Sequence, residues 1–225
     1  AREPPPDRKW CSAFFCVAKW SGRDLRLHSL HVLESWDVPP PMNVPPIDPS
    51  DHKHLRHAAE IVDRLVIQFA LGGLAHDADP GELLKWLHSE GIPLSEVDLR
   101  MFSGDLSDAE SNECSWKTES VVTLAWAGGI VSELDKPSKM TDWSEFFPLI
   151  PPEVPMRKFR RQFKLRSTDE LLQAVDVYYL LHAALRHTAR FSPDGPQLAI
   201  VQERRHALEW VVDPGVAWEE VSLDT

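Results

Sequence analysis

The 225-residue sequence predicts a mainly α protein, a compact bundle of five or six helices preceded by a small N-terminal β-hairpin appendage. Three observations predict it. Beyond about residue 50 the apolar residues recur at three- and four-residue steps, the period of a helix with one buried face. Two capping-box patterns, Ser107-Asp-Ala-Glu110 and Ser167-Thr-Asp-Glu170, stand where helices would start. Two stretches, Val121–Val131 and Leu171–Leu185, are apolar on nearly every side yet too short to span a bilayer, which marks them as central buried helices.

Taken in order, residues 1–9 are charged and proline-rich and read as a loose lead-in. Trp10–Trp20 is rich in aromatic and β-branched residues, Ser21-Gly22-Arg23-Asp24 reads as a turn, and the stretch from Leu25 through Leu27 to Leu33 alternates, the pattern of a hairpin. Val38–Pro49 holds six of the nineteen prolines. Each lacks an amide hydrogen and has a fixed φ, so this segment is expected to be an extended connector. A boundary near Ser50 therefore separates residues 1–50, hairpin and connector, from a helical domain at 51–225.

Leu55, Ala58, Val62, Leu65 and Phe69 define the first helix of that domain, with Arg56, Glu60, Asp63 and Arg64 on its other side and Gly72-Gly73 at its end. A shorter helix runs from about Pro80, a favoured first-turn residue, to Ser89, stopped by Gly91 and Pro93. The helix opened by Ser107 continues to Val131, with Gly128-Gly129 inside it and a neighbouring helix close enough to offset their low propensity. After a proline-punctuated region, Pro137–Pro155, comes the helix opened by Ser167. A last helix extends from Pro196 to about Val212, where Pro214 and Gly215 stop it.

Acidic residues outnumber basic ones 35 to 24, and the net charge of -11 disfavours a nucleic-acid partner. The one dense basic run, Arg157-Lys158-Phe159-Arg160-Arg161, reads as a solvated helix face. Cys11, Cys16 and Cys114 form neither a CxxC pair nor an even framework, so a reducing, cytoplasmic setting fits. No run approaches the roughly 20 apolar residues of a membrane span, and residues 1–9 lack a signal-peptide core.

The second half carries an ordered set of words: Ser115-Trp-Lys-Thr-Glu119, Leu124-Ala-Trp-Ala-Gly-Gly-Ile130, Leu165-Arg-Ser167, Glu203-Arg-Arg-His-Ala-Leu-Glu-Trp210 and the closing Asp224-Thr225. Together they resemble the bacterial domain-of-unknown-function family 4272 over about residues 51–225. The resemblance implies a compact helical domain and carries over no activity, cofactor or catalytic residue.

Charges on the hydrophobic helices are the candidate chemistry. Trp116, Glu119, Thr123, Trp126 and Ile130 share one stripe, so Glu119 is expected to be shielded from water. Asp176 is the only formal charge between Leu171 and Leu185, while Glu203, His206 and Trp210 share one face of the last helix and Arg204 lies on the adjoining one. Burying such charges unpaired costs several kcal/mol, so Arg204 is expected against Glu119 or Asp176. Glu119, Asp176, Glu203 and Arg204 then form a structural ion network. The alternative is an enzyme or metal-binding protein whose acidic internal site uses Glu119, Asp176, Glu203 and His206.

Glu203-x-x-His206 offers two ligands on one face, but the second such motif of a di-metal bundle is missing. His54 and His57, with His52 nearby, are weaker metal candidates, and Cys114 with His206 as base is set against a plain buried thiol. No Gly-rich phosphate loop, GxSxG or HExxH occurs, and no cofactor is implied. The expected function is therefore protein binding. One form is an immunity-type neutraliser of a basic toxin or enzyme, suggested by the acidity and by nine tryptophans, a type enriched at interface hot spots. A third reading makes the N-terminal hairpin a separate sheet-edge module for peptides.

Overall fold

A computed structural model describes residues 22–52, 54–104, 106–187 and 194–224. Among them are eight α-helices and no strand: α1 (Gly22–Ser35), α2 (Ala58–Leu74), α3 (Pro80–Ser89), α4 (Glu96–Met101), α5 (Asp108–Ala127), α6 (Met156–Gln162), α7 (Thr168–His187) and α8 (Leu198–Val212). The longer helices pack as a row in the order α2, α5, α8, α7, α1. This order explains the hydropathy pattern. Helices α5, α8 and α7 each have a helix on both sides, so one apolar stripe does not suffice, and Val121, Leu124, Val175, Leu181, Val201 and Leu208 are all fully buried. None of the described helices is long and apolar enough to cross a membrane.

Both capping boxes form. Ser107 Oγ accepts from the Glu110 amide while Glu110 Oε2 accepts from the Ser107 amide, and Ser167 and Glu170 repeat the exchange. Each box removes two orphan donors from a helix start, a stabilisation of about 1 kcal/mol for the cap residue alone. Helix α3 begins at Pro80 and ends at Ser89 as the sequence predicts. There Gly91 takes a left-handed φ of 69°, which lets the Ile92 amide reach back to Leu87 O at 3.0 Å, and both Ile92 and Leu87 are buried.

Two expectations are corrected. The residues read as the second strand of a hairpin, Leu25 to Leu33, form α1; the first strand, Trp10–Trp20, lies outside the described residues. The Leu25–Leu27 alternation misled, because the buried positions are Leu25, Ser29, Val32 and Leu33, a helical spacing, while Leu27 is 53% exposed. Helix α1 packs on α7, so residues from 22 onward share the core of the helices that follow. Eight helices also exceed the expected five or six, since α1, α4 and α6 gave no recognised period.

The second correction concerns Gly128-Gly129, which end α5 rather than lie inside it. Gly129 has φ 69°, its amide bonds Trp126 O at 3.0 Å, and the Ile130 amide bonds Ala125 O at 2.9 Å, the paired bonds of a left-handed helix terminus. Gly128 is needed for a separate reason. A Cβ there would fall inside the Phe163 ring, so the glycine is where the chain following α6 closes onto α5. Gly72 serves likewise on α2, where Trp143 lies flat on Phe69 with ring centroids 4.6 Å apart and covers the glycine.

Candidate functional site

The words Ser115-Trp-Lys-Thr-Glu119 and Glu203-Arg-Arg-His206 lie on α5 and α8, and these helices bring them face to face. Arg204 Nε donates to Glu119 Oε2 at 2.7 Å, with the two side chains 3% and 0% exposed. The remaining valences are filled locally. Glu119 Oε1 accepts from the Thr141 amide at 2.6 Å, and Arg204 Nη1 donates to Asp135 O at 2.7 Å and to the Tyr178 hydroxyl at 3.0 Å. Burial pushes the Tyr178 phenol up, so it stays protonated and neutral beside the ion pair. The arrangement joins α5, α7, α8 and the segment after α5 at one sealed point.

The adjoining faces of the same two helices carry a second, partly exposed cluster, built on the neighbouring residues Ser120 and Glu203. Ser120 Oγ donates to Glu203 Oε2 at 3.0 Å, and Lys117 Nζ lies 2.9 Å from Glu113 Oε1 and 4.0 Å from Glu203 Oε1. Burial raises the Glu203 carboxyl above its usual range, against the pull of Lys117 and the Ser120 bond. His206, three residues further along α8, makes a T-shaped contact with Trp218, the ring centroids 4.5 Å apart. Burial, with Lys117 adding to it, pushes its imidazole down to about 4, so it is neutral near pH 7.

Asp176 does not join this assembly. Its Oδ1 accepts from Arg26 Nη2 of α1 at 2.8 Å, with the Asp176 side chain 1% exposed, and Arg26 also holds the connector through Val44 O and Pro45 O. The four charges expected in one network thus divide: Glu119 with Arg204, Glu203 with Ser120 and Lys117, Asp176 with Arg26. Sequence reasoning missed Arg26 because its segment read as a strand in a separate appendage. Ile130, expected on the Glu119 stripe, lies beyond the end of α5.

The metal and nucleophile candidates are dispersed. His54 is exposed, His57 is the exposed N-cap of α2, and His52 Nδ1 is 3.4 Å from Val212 O. Among the described residues no group of three or more His, Cys, Asp or Glu is placed to hold a metal ion. Cys114 is completely buried, and burial raises its thiol above the ordinary value, which disfavours the thiolate a nucleophile needs.

What sequence reasoning missed is a set of arginines turned inward onto backbone carbonyls. Arg56 donates to Trp210 O, Asp213 O and Val216 O at 3.1, 2.8 and 2.7 Å and lies 3.9 Å over the Trp210 ring, closing the end of α8. Arg166 does the same for α5, donating to Trp126 O, Val131 O and Ser132 O over the Trp126 ring. Arg205 reaches Leu223 O and Asp224 O, and Arg64 bridges Asp98 and Glu219 beside Trp218. The planar guanidinium suits this work, since its forked donors reach several carbonyls while its face stacks on an aromatic ring.

A family model described as "Domain of unknown function (DUF4272)" matches residues 25–221. The chain belongs to that family. The match begins inside α1, so the DUF4272 domain takes in α1 and the proline-rich connector as well as the helices from α2 onward. No curated protein and no solved structure matches the chain. The DUF4272 words quoted from the sequence now have physical roles: α5 and α8 supply the two charged layers, Arg166 closes α5, and Trp210 is the ring beneath Arg56.

Proposed function

We propose that this DUF4272 domain is a protein-binding module whose internal charges are structural, and that its partner presents a basic surface, in the manner of immunity proteins that neutralise basic toxins or enzymes. The observation that carries the reading is where the charges lie. Arg26, Arg56, Arg64, Arg166, Arg204 and Arg205 commit their guanidinium groups to internal carbonyls and carboxylates. Among the described residues the buried charges nearly balance, Arg56, Lys117, Arg204 and Arg205 against Asp98, Glu119 and Asp176, so the interior takes up little of the net charge of -11 and the outer surface is left negative. A surface of that sign steers basic partners and repels nucleic acid.

The sealing of Glu119 and Asp176 supports a structural role for both, because a reacting carboxylate must meet its substrate. Affinity capture of the full chain in its source cells tests the reading. A basic protein released by raised salt, and inhibited by the purified domain, is the expected result. Recovery of no basic protein, together with turnover of a small molecule that Glu203→Gln abolishes, contradicts it.

A further inference from the structure

Helix α1 closes the row of helices at its outer end and rests on α7. Leu25, Val32 and Leu33 are its buried apolar residues, and Ser29, also buried, bonds its own helix at Leu25 O. The connector folds back along it: Arg26 donates to Val44 O at 3.0 Å and Pro45 O at 2.7 Å, and a Cβ on Gly22 would lie 2.8 Å from Ile47 O. Residues 22–47 are thus one unit, and the chain rejoins the other helices at Arg56, whose amide bonds Val211 O at 3.0 Å. The ion pair between this unit and α7, Arg26 with Asp176, is incomplete, since Asp176 Oδ2 and Arg26 Nε are both buried without a hydrogen-bond partner among the described residues. Glu119 and Arg204, by contrast, bond through both carboxylate oxygens and all the guanidinium nitrogens. A buried pair satisfied only in part offsets less of its desolvation cost, so the arm is held by the weaker of the two pairs.

We propose that residues 22–47 are a releasable arm covering a helix-binding face of α7, and that the ligand of this face is an amphipathic helix of a partner protein with one arginine on its apolar side. Helix α1 is the pattern for that ligand, with Leu25, Val32 and Leu33 at seven- and eight-residue spacing and Arg26 beside Leu25. On α7, Leu172, Leu180 and Ala183 lie on the stripe that carries Asp176, at steps of three and four residues, and all are buried. Arg26 reaches only one oxygen of Asp176. An incoming arginine set bidentate on the carboxylate engages both, and that is the partner's advantage over the resident helix. The α1 of a second copy has no such advantage, because it brings the same Arg26 against a tethered arm of higher effective concentration. The face is separate from the acidic surface invoked above.

Hydrogen exchange of the full wild-type chain is the first measurement. The amides of α1 exchange through an opening that leaves α5, α7 and α8 protected, and Arg26→Ala speeds that exchange more than about tenfold. Fluorescence anisotropy then uses a labelled peptide of residues 22–38. It binds the Arg26→Ala chain at least about tenfold more tightly than the wild-type chain, whose own arm competes. Binding is lost when the peptide itself carries Arg26→Ala, or when the chain carries Asp176→Ala as well. Equal protection of α1 and α5 in the wild type, no binding by the Arg26→Ala chain, equal binding by both chains, or binding that survives Asp176→Ala overturns the proposal. A wild-type dimer seen by light scattering, and dissolved by Asp176→Ala, gives the face to a second copy and overturns the partner assignment. Each such failure leaves the basic-partner reading intact, because its test, salt release of a basic protein, does not involve α1.

Discussion

Arg204 and Glu119 form a 2.7 Å ion pair with both side chains withdrawn from solvent. Taking two charges out of water is costly, and their mutual attraction offsets that cost only when every other donor and acceptor is also satisfied. Here Thr141, Tyr178 and the Asp135 carbonyl complete the set. The pair acts as a registration point, fixing where α5, α8 and α7 meet along their lengths. The Glu119 carboxylate has no solvent-exposed surface in this arrangement.

The Gly128–Phe163 contact predicts a steric sensitivity. Replacing Gly128 by Ala drives a Cβ into the Phe163 ring, which is itself 3% exposed and cannot swing outward without opening the core. Overpacking of this kind costs about 1–3 kcal/mol. Urea unfolding of Gly128→Ala should show that loss, and Gly128→Ala/Phe163→Leu should recover part of it.

Arg56 predicts that charge alone is insufficient. Lysine at this position keeps the cation but cannot reach Trp210 O, Asp213 O and Val216 O together or stack flat on Trp210. Arg56→Lys should destabilise by about 1–3 kcal/mol through buried acceptors left unmet. Hydrogen exchange should locate the loosening at residues 210–218, and an unchanged exchange pattern there would refute the capping role.

The buried imidazoles predict an acid-side loss of stability. Arg205 Nη1 lies 2.7 Å from His182 Nδ1 and can only donate, so Nδ1 accepts and the ring is neutral. Burial, then Arg205 and Arg186, push His182 down to about 4, and burial with Lys117 does the same to His206. In the unfolded chain both titrate near the ordinary 6.5. As pH falls through that value the unfolded state takes up protons first, so stability is full above about 6.5, declines toward pH 4 and then levels for these two groups. Glu203 and Glu209, raised by burial, slope the other way, so the informative quantity is the difference between variants. His182→Gln and His206→Gln should each flatten the decline in urea midpoint between pH 6.5 and 4, and parallel curves would contradict the assignment.

Much of the helical frame was legible because its signals are local. Ser107 with Glu110 and Ser167 with Glu170 mark helix starts by bonds between a side chain and backbone three residues away, Pro80 and Gly91 bound α3 through their own backbone preferences, and the structure places α5, α7 and α3 on them. Helices α4 and α6, of six and seven residues, are too short to display a period, and α1 was hidden by an accidental alternation. That Arg204 meets a buried carboxylate could be anticipated because an unpaired buried charge is prohibitive, but the sequence left Glu119 and Asp176 as equal candidates and the packing of α5 on α8 decides for Glu119. Arg26 on Asp176 spans 150 residues of sequence, and neither residue carries a local mark of the other. The arginines that close α5 and α8 were invisible for the same reason, since a carbonyl acceptor leaves no trace in side-chain sequence.

A double-mutant cycle at Glu119 and Arg204, followed by urea unfolding, tests the central claim most directly. Glu119→Leu or Arg204→Met alone strands one buried charge and should cost about 3–5 kcal/mol. The double variant, with an apolar pair of similar bulk, should recover most of that loss. Single variants as stable as the wild type would contradict the account, as would a double variant no more stable than either single one.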